Sequence, residues 1–143
     1  MRKFDTGATR DDEKTKPNFA GFLSPLVIQR YGAYMNKHRL QADGNLRDSD
    51  NWKKGFGPNN ARVCLESLWR HMLDTWLHLE GYPQQANESL EEALCAVIFN
   101  AQAALHGILK DELTDQAFLD QELREKEYAE KNGLLVYEMK HEE

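Results

Sequence analysis

A chain of 143 residues with 41% hydrophobic and 29% charged side chains has the make-up of one folded domain, which excludes a wholly disordered polymer. Its 18 basic against 24 acidic residues leave a net charge of −6, which disfavours a stand-alone nucleic-acid binder, so no stable nucleic-acid partner is expected. With only Cys64 and Cys95, far apart in sequence, neither a disulfide scaffold nor a zinc ribbon can be assembled within one chain, and a reducing compartment is expected.

The first 22 residues are polar, contain Gly7, Pro17 and Gly21, and show no sustained period. They read as an arm, disordered or laid over a partner surface. The Arg2, Lys3, Asp5, Asp11, Asp12 and Glu13 charges leave no apolar run of the signal-peptide kind, and no stretch of about 18 apolar residues is evident. A cytoplasmic protein without membrane contact is therefore expected.

Ser24-Pro25 is a helix start, because a serine can cap free amides and a proline at the first helical position gives up only an N–H that would be unpaired there. The first helix is placed over Pro25 to Lys37, with Leu26, Ile28, Tyr31, Tyr34 and Met35 as its apolar surface. From Arg39 to Asn60 a Gly-, Asp- and Asn-rich loop follows, long enough in a compact domain to be functional or disordered. Between positions 30 and 54 the bases Arg30, Lys37, Arg39, Arg47, Lys53 and Lys54 face only Asp43, Asp48 and Asp50, so a small polyanion such as a triphosphate suits this region. Trp52 beside Lys53 and Lys54 offers a plane for a base and two ammonium groups for phosphates. It serves equally as an anchor pinning the loop to the core. Lys37 and Arg39 either add phosphate contacts or form the basic end that a helix dipole favours.

A second helix is expected over Asn60 to Leu79. At about 100° per residue Leu65, Leu68, Trp69, Met72, Trp76 and Leu79 share one arc, and Ser67, His71, Asp74 and His78 the opposite one. Gly81 and Pro83 stop it. Asn87-Glu88-Ser89 opens a third helix, from Ser89 to Leu109, whose main face is Leu90, Leu94, Val97, Ile98, Ala101, Leu105 and Ile108. Cys95, Ala96, Phe99 and Ala103 make its other side apolar too, so it belongs at the centre. A fourth helix is expected from Thr114 to Asn132, ended by Gly133 and followed by the apolar run Leu134-Leu135-Val136-Tyr137. Residues 1–110 hold 14 bases and 13 acids and residues 111–143 hold 4 and 11, so charges of +1 and −7 put the acidity in this last part. The reading is an all-α fold: a small bundle of three core helices plus a C-terminal helix, divided into the arm 1–22, a helical domain 23–110 and an acidic helix and tail 111–143.

Dinucleotide-binding and Walker glycine loops, a His-Glu-x-x-His sequence and a marked Ser, His and Asp set are all lacking, which leaves metal-assisted or pure binding chemistry. His71, Asp74 and His78, at spacings of three and four, line up imidazole, carboxylate and imidazole along one helix. Such a line either holds a divalent ion or is a solvated polar face; the first reading needs another helix over it. Glu92, on the face of Ala96, Phe99 and Ala103, is either a partly desolvated metal ligand or an ordinary first-turn acid. Asn100, about 12 Å farther along, is read as a buried structural amide. A cover for the polar stripe and a site for the apolar run at 134–137 both call for a homodimer or higher homo-oligomer.

The segments Phe4-Asp5-Thr6-Gly7-Ala8-Thr9-Arg10-Asp11, Phe22-Leu23-Ser24-Pro25-Leu26, Asp50-Asn51-Trp52-Lys53-Lys54-Gly55, Ser67-Leu68-Trp69-Arg70-His71 and Phe99-Asn100-Ala101, in this order, resemble the phage dATP/dGTP diphosphohydrolase family in its N-terminal-domain form. The resemblance spans roughly residues 4–109. It implies metal-dependent hydrolysis of dATP and dGTP to monophosphate and pyrophosphate, in phages whose DNA carries 2-aminoadenine. A looser likeness to MazG-type pyrophosphohydrolases sets Arg70-His71-x-x-Asp74 where that superfamily has Glu-Glu-x-x-Glu, and Glu92-x-x-Cys95 where it has Glu-x-x-Asp. The metal set is then rebuilt from His71, Asp74 and Glu92 around Mg²⁺, with Lys37, Arg39, Lys53 and Lys54 on the phosphates and Trp52 under the base. The alternative is a non-catalytic phage accessory protein that binds a nucleotide or a host protein.

Overall fold

A computed structural model describes residues 1–11 and 16–134. The chain divides into two compact units, Met1–Ser49 and Asp50–Glu143, so the boundaries expected near 22 and 110 each fall inside a unit. The fold is all-α apart from one small hairpin.

In the first unit the expected arm has structure of its own. Strands β1 (Arg2–Lys3) and β2 (Thr9–Arg10) pair antiparallel, Arg2 opposite Arg10 and Lys3 opposite Thr9. Gly7, at φ 84°, turns the chain between them, and its N–H donates to the Phe4 carbonyl at 2.8 Å. Helix α1 (Phe19–Phe22) is a single turn capped by Asn18. Helix α2 (Pro25–Lys37) begins as its sequence dictates, with the Val27 N–H donating to Ser24 Oγ at 3.3 Å. Beyond it residues 39–47 fold into a small loop closed by a Leu40–Leu46 bridge. Asp43 caps the turn, accepting from the Asn45 N–H at 2.9 Å, and that bond holds its carboxyl below the usual range.

The second unit is built on two long helices. Helix α3 (Asn60–Leu79) matches its expected span. Helix α4 runs unbroken from Leu90 to Lys131, so the third and fourth expected helices are one element of 42 residues. The break expected before Thr114 does not occur, because no proline or glycine lies there and the Thr114 hydroxyl donates back to the Lys110 carbonyl at 2.8 Å, satisfied within the helix. Gly133, at φ 63°, ends α4 as expected, and the Leu134 N–H closes back on the Ala129 carbonyl. The apolar residues Leu135, Val136 and Tyr137 lie outside the described residues.

α3 and α4 pack through small and polar side chains. Cys64, Asp74 and Thr75 are buried on α3, and Ala93, Cys95, Ala96, Asn100 and Ala103 on α4. Burial pushes the Cys64 thiol up from its ordinary value. Asn60 ties the far end of the pair: its Nδ2 donates to the Ala103 carbonyl at 3.2 Å while its Oδ1 accepts from the Phe56 N–H at 3.0 Å. A β-carbon on Gly107 would stand 2.5 Å from that Nδ2, so glycine is what admits the asparagine.

The apolar arcs read as core-facing in the sequence point the other way. Trp69 is 64% exposed and Trp76 62%, and Leu65, Leu79, Leu94, Ile98, Leu105 and Ile108 are all exposed. The polar stripe of α3 faces α4 instead. This correction has a physical cause: alanines, Gly107 and short polar groups let two backbones approach closely, which bulky Trp and Leu rows would prevent. One further amendment concerns membranes. An 18-residue window of α4, at mean hydropathy 1.4, is long and apolar enough to cross one by length and composition. The buried Asn100 and the small residues packed on α3 are those of a helix leaning on another helix of its own chain.

Candidate metal centre

The ten residues 80–89 reverse the chain through a short 3-10 turn, Pro83–Gln85, and bring the start of α4 beside the last turns of α3. Gly81, at φ 88°, makes the first bend, and the Tyr82 N–H returns to the Leu77 carbonyl at 2.8 Å. Ser89 then caps α4, accepting from the Glu92 N–H at 3.2 Å. Because this connection is short, the residue just before the cap, Glu88, lands against the polar stripe of α3.

There His71, Asp74 and Glu88 form one group, with a ligand atom from each within 4.8 Å of the other two. His71 Nδ1 and the Glu88 carboxylate are in direct hydrogen-bond contact. Their side chains are 27% and 17% exposed, so solvent reaches the group from one side. Asp74 is 4% exposed. Its Oδ1 accepts from the Asn87 N–H at 3.2 Å and the Asn87 Nδ2 at 3.4 Å, and among the described residues no Lys or Arg pairs with it. A buried carboxylate beside a second carboxylate and an imidazole is a donor set that could hold a cation. The supports are also in place. His78 Nε2 lies 2.7 Å from the Glu88 carbonyl and the Thr75 hydroxyl donates to the His71 carbonyl at 3.0 Å, so the backbone on both sides of the group is tied down.

Of the residues singled out in the sequence, His71 and Asp74 are brought together. Glu92, half-buried in the first turn of α4, is not in this group, whose second carboxylate is Glu88. His78 holds the Glu88 backbone rather than joining the ligand atoms. From the sequence Asn87 and Glu88 only open the third helix; the structure adds their place beside Asp74 and His71. The signal for them lay in the short Gly81 to Ser89 connection, which leaves no freedom for those residues except beside the end of α3.

Trp52 lies in a 3-10 turn, Asn51–Lys54, that packs on α4. Its ring meets Phe99 edge-on at 6.2 Å and His106 at 5.1 Å. Those partners are 10 and 17 residues past Ser89, so at 1.5 Å per residue the indole sits roughly 15–25 Å along α4 from its start. The anchoring role is therefore the one its contacts express, and Lys53 and Lys54, both exposed, share that distance. Arg39 is engaged within the first unit: its Nε donates to the Arg47 carbonyl at 2.7 Å and its Nη1 to Asn36 Oδ1 at 3.3 Å, closing the 39–47 loop. Lys37, also in that unit, is exposed at the end of α2 and has a partner of its own. Asn100 is the buried amide expected, its Nδ2 donating to the Ala96 carbonyl at 2.8 Å.

Comparison with known proteins finds no match, whether to a family model, a curated protein or a solved structure.

Proposed function

We propose that this chain is a divalent-metal-dependent pyrophosphohydrolase that cuts dATP and dGTP to the monophosphate and pyrophosphate, acting as a homodimer in the cytoplasm of a phage-infected host. The substrate class rests on the resemblance described from the sequence, and the metal dependence on the group of His71, Asp74 and Glu88. The single observation that carries the reading is Asp74, a buried carboxylate with no Lys or Arg partner among the described residues, beside a second carboxylate and an imidazole. A divalent ion in that group supplies an activated water and charge neutralisation for phosphate oxygens. The chain's own residues do the holding. Asn87 fixes the Asp74 carboxylate, His71 and His78 fix Glu88 from its side chain and its carbonyl, and the partial exposure of His71 and Glu88 leaves a side open to a triphosphate.

In this reading Lys53 and Lys54, exposed on the turn that Trp52 packs on α4, draw the polyanion toward the chain through their field. Trp52 holds their turn in place. The dimer is supported by the outward apolar rows of α3 and α4, which a second copy of the same two helices can cover.

Purified protein incubated with each dNTP and Mg²⁺ or Mn²⁺, with products resolved, tests the activity. The expected products are dAMP or dGMP plus pyrophosphate. Asp74→Asn and Glu88→Gln should each lower kcat roughly a hundredfold or more while the helical circular dichroism is retained. Parent protein that turns over no dNTP with any divalent ion replaces this reading with the non-catalytic one, a phage accessory protein that binds a nucleotide or a host protein.

A further inference from the structure

Resting on the reading of His71, Asp74 and Glu88 as a metal centre, we propose that this site selects a borderline first-row ion of the Zn²⁺ kind over Mg²⁺. The donor set is what decides. Mg²⁺ demands oxygen ligands in a near-octahedral shell and keeps several of its waters, so a site made for it is built from carboxylates. Here one of the three protein donors is an imidazole nitrogen, a ligand suited to zinc, copper, iron or nickel and little used by magnesium. Three protein donors is also the number that catalytic zinc centres use, here as one nitrogen and two carboxylate oxygens.

The geometry agrees with a small ion. His71 and Asp74 are three residues apart on one face of α3, and Glu88 comes from the connection beside them. In a tetrahedron of 2.0–2.2 Å bonds the donors stand about 3.4 Å apart, and the three ligand atoms lie within 4.8 Å of one another, so side-chain adjustment of about an ångström brings them onto one small ion. His71 Nδ1 and the Glu88 carboxylate are in direct contact, and an ion bound between them would replace that contact. The outer contacts are those a ligand set needs: Asn87 donating twice to Asp74, and His78 against the Glu88 carbonyl. Neither cysteine belongs to the group, so the site is of mixed nitrogen and oxygen character.

The test uses the full chain stripped with a chelator and titrated calorimetrically with ZnCl₂ and, separately, MgCl₂. One Zn²⁺ per chain is expected, bound roughly a hundredfold more tightly than Mg²⁺. X-ray absorption of the Zn²⁺-loaded parent should show one imidazole among oxygen donors at about 2.0–2.2 Å. His71→Gln should weaken Zn²⁺ roughly tenfold or more and leave Mg²⁺ affinity nearly unchanged. Zn²⁺ bound no more tightly than Mg²⁺, a spectrum without imidazole, or Zn²⁺ affinity unaltered in the folded variant would overturn the proposal and leave His71 and Glu88 as a plain ion pair. Should His71→Gln fail to fold, the parent's spectrum and its Zn²⁺ to Mg²⁺ ratio still decide. Hydrolysis of dATP with Mg²⁺ and no Zn²⁺ preference overturns the zinc assignment and keeps the hydrolase; Zn²⁺ on His71 without turnover by any divalent ion does the reverse.

Discussion

Asn60 and Gly107 show how one missing methyl group sets the approach of two helices. The Asn60 amide accepts from Phe56 and donates to Ala103, and each such bond is worth about 0.5–1.5 kcal/mol net. Asn60→Ala should therefore destabilise the chain by about 1–3 kcal/mol in urea unfolding. Gly107→Ala alone gains about 1 kcal/mol of helix propensity but pushes the Asn60 Nδ2 off its carbonyl, so little or no net stabilisation is expected. In the Asn60→Ala background the clash is gone and the same substitution should stabilise by about 1 kcal/mol. Identical effects in both backgrounds would show that the asparagine is not what keeps residue 107 small.

At the scale of elements, the 3-10 turn Asn51–Lys54 packs on α4 through the ring of Trp52. Trp52 makes two edge contacts, with Phe99 and His106, and such pairs contribute about 0.5–1.5 kcal/mol each. Trp52→Ala should lower stability by roughly 1–3 kcal/mol, read as a fall in melting temperature, and leave nucleotide affinity measured well below that temperature unchanged. A variant with parental melting temperature and weakened dATP binding would reverse the assignment and put the indole under a base. α4 itself is longer than its periodic pattern suggested. Its second half, past Lys110, carries Leu113, Phe118, Leu119 and Leu123 exposed, supported locally by pairs such as Gln116 with Asp120 and Gln121 with Glu125, each at 2.8 Å.

For the whole molecule the deciding fact is that the apolar rows of the two long helices lie outside. Among the described residues the largest side chain with almost no exposure is only a cysteine, Cys64, and Trp69, Trp76, Leu79, Leu105 and Leu113 all exceed half exposure. Rows of this kind are buried in native assemblies, and an obligate dimer resembles a domain core cut in half. The parent is expected to sediment as a dimer at micromolar concentration. Trp69→Asp combined with Trp76→Asp should shift it to monomer, because each carboxylate would have to be desolvated in the interface. An unchanged sedimentation coefficient in the folded double variant would remove these rows from the interface.

Much of this was legible in the sequence because it is local. Ser24-Pro25 fixed a helix start, Gly81 and Gly133 fixed helix ends, and the 3.6-residue period fixed α3, since caps, positive φ and amphipathic repeats depend on neighbours a few residues away. The His71 and Asp74 spacing was legible for the same reason. Which arc of α3 faces inward was not, because an amphipathic period marks two faces without saying whether the apolar one is covered by the same chain or left for another. Only the tertiary contact decided that, through the small residues of α4 that admit the polar stripe. Glu88 depended on it too: a residue outside both periodic segments becomes a candidate ligand when a ten-residue connection folds it back against His71 and Asp74.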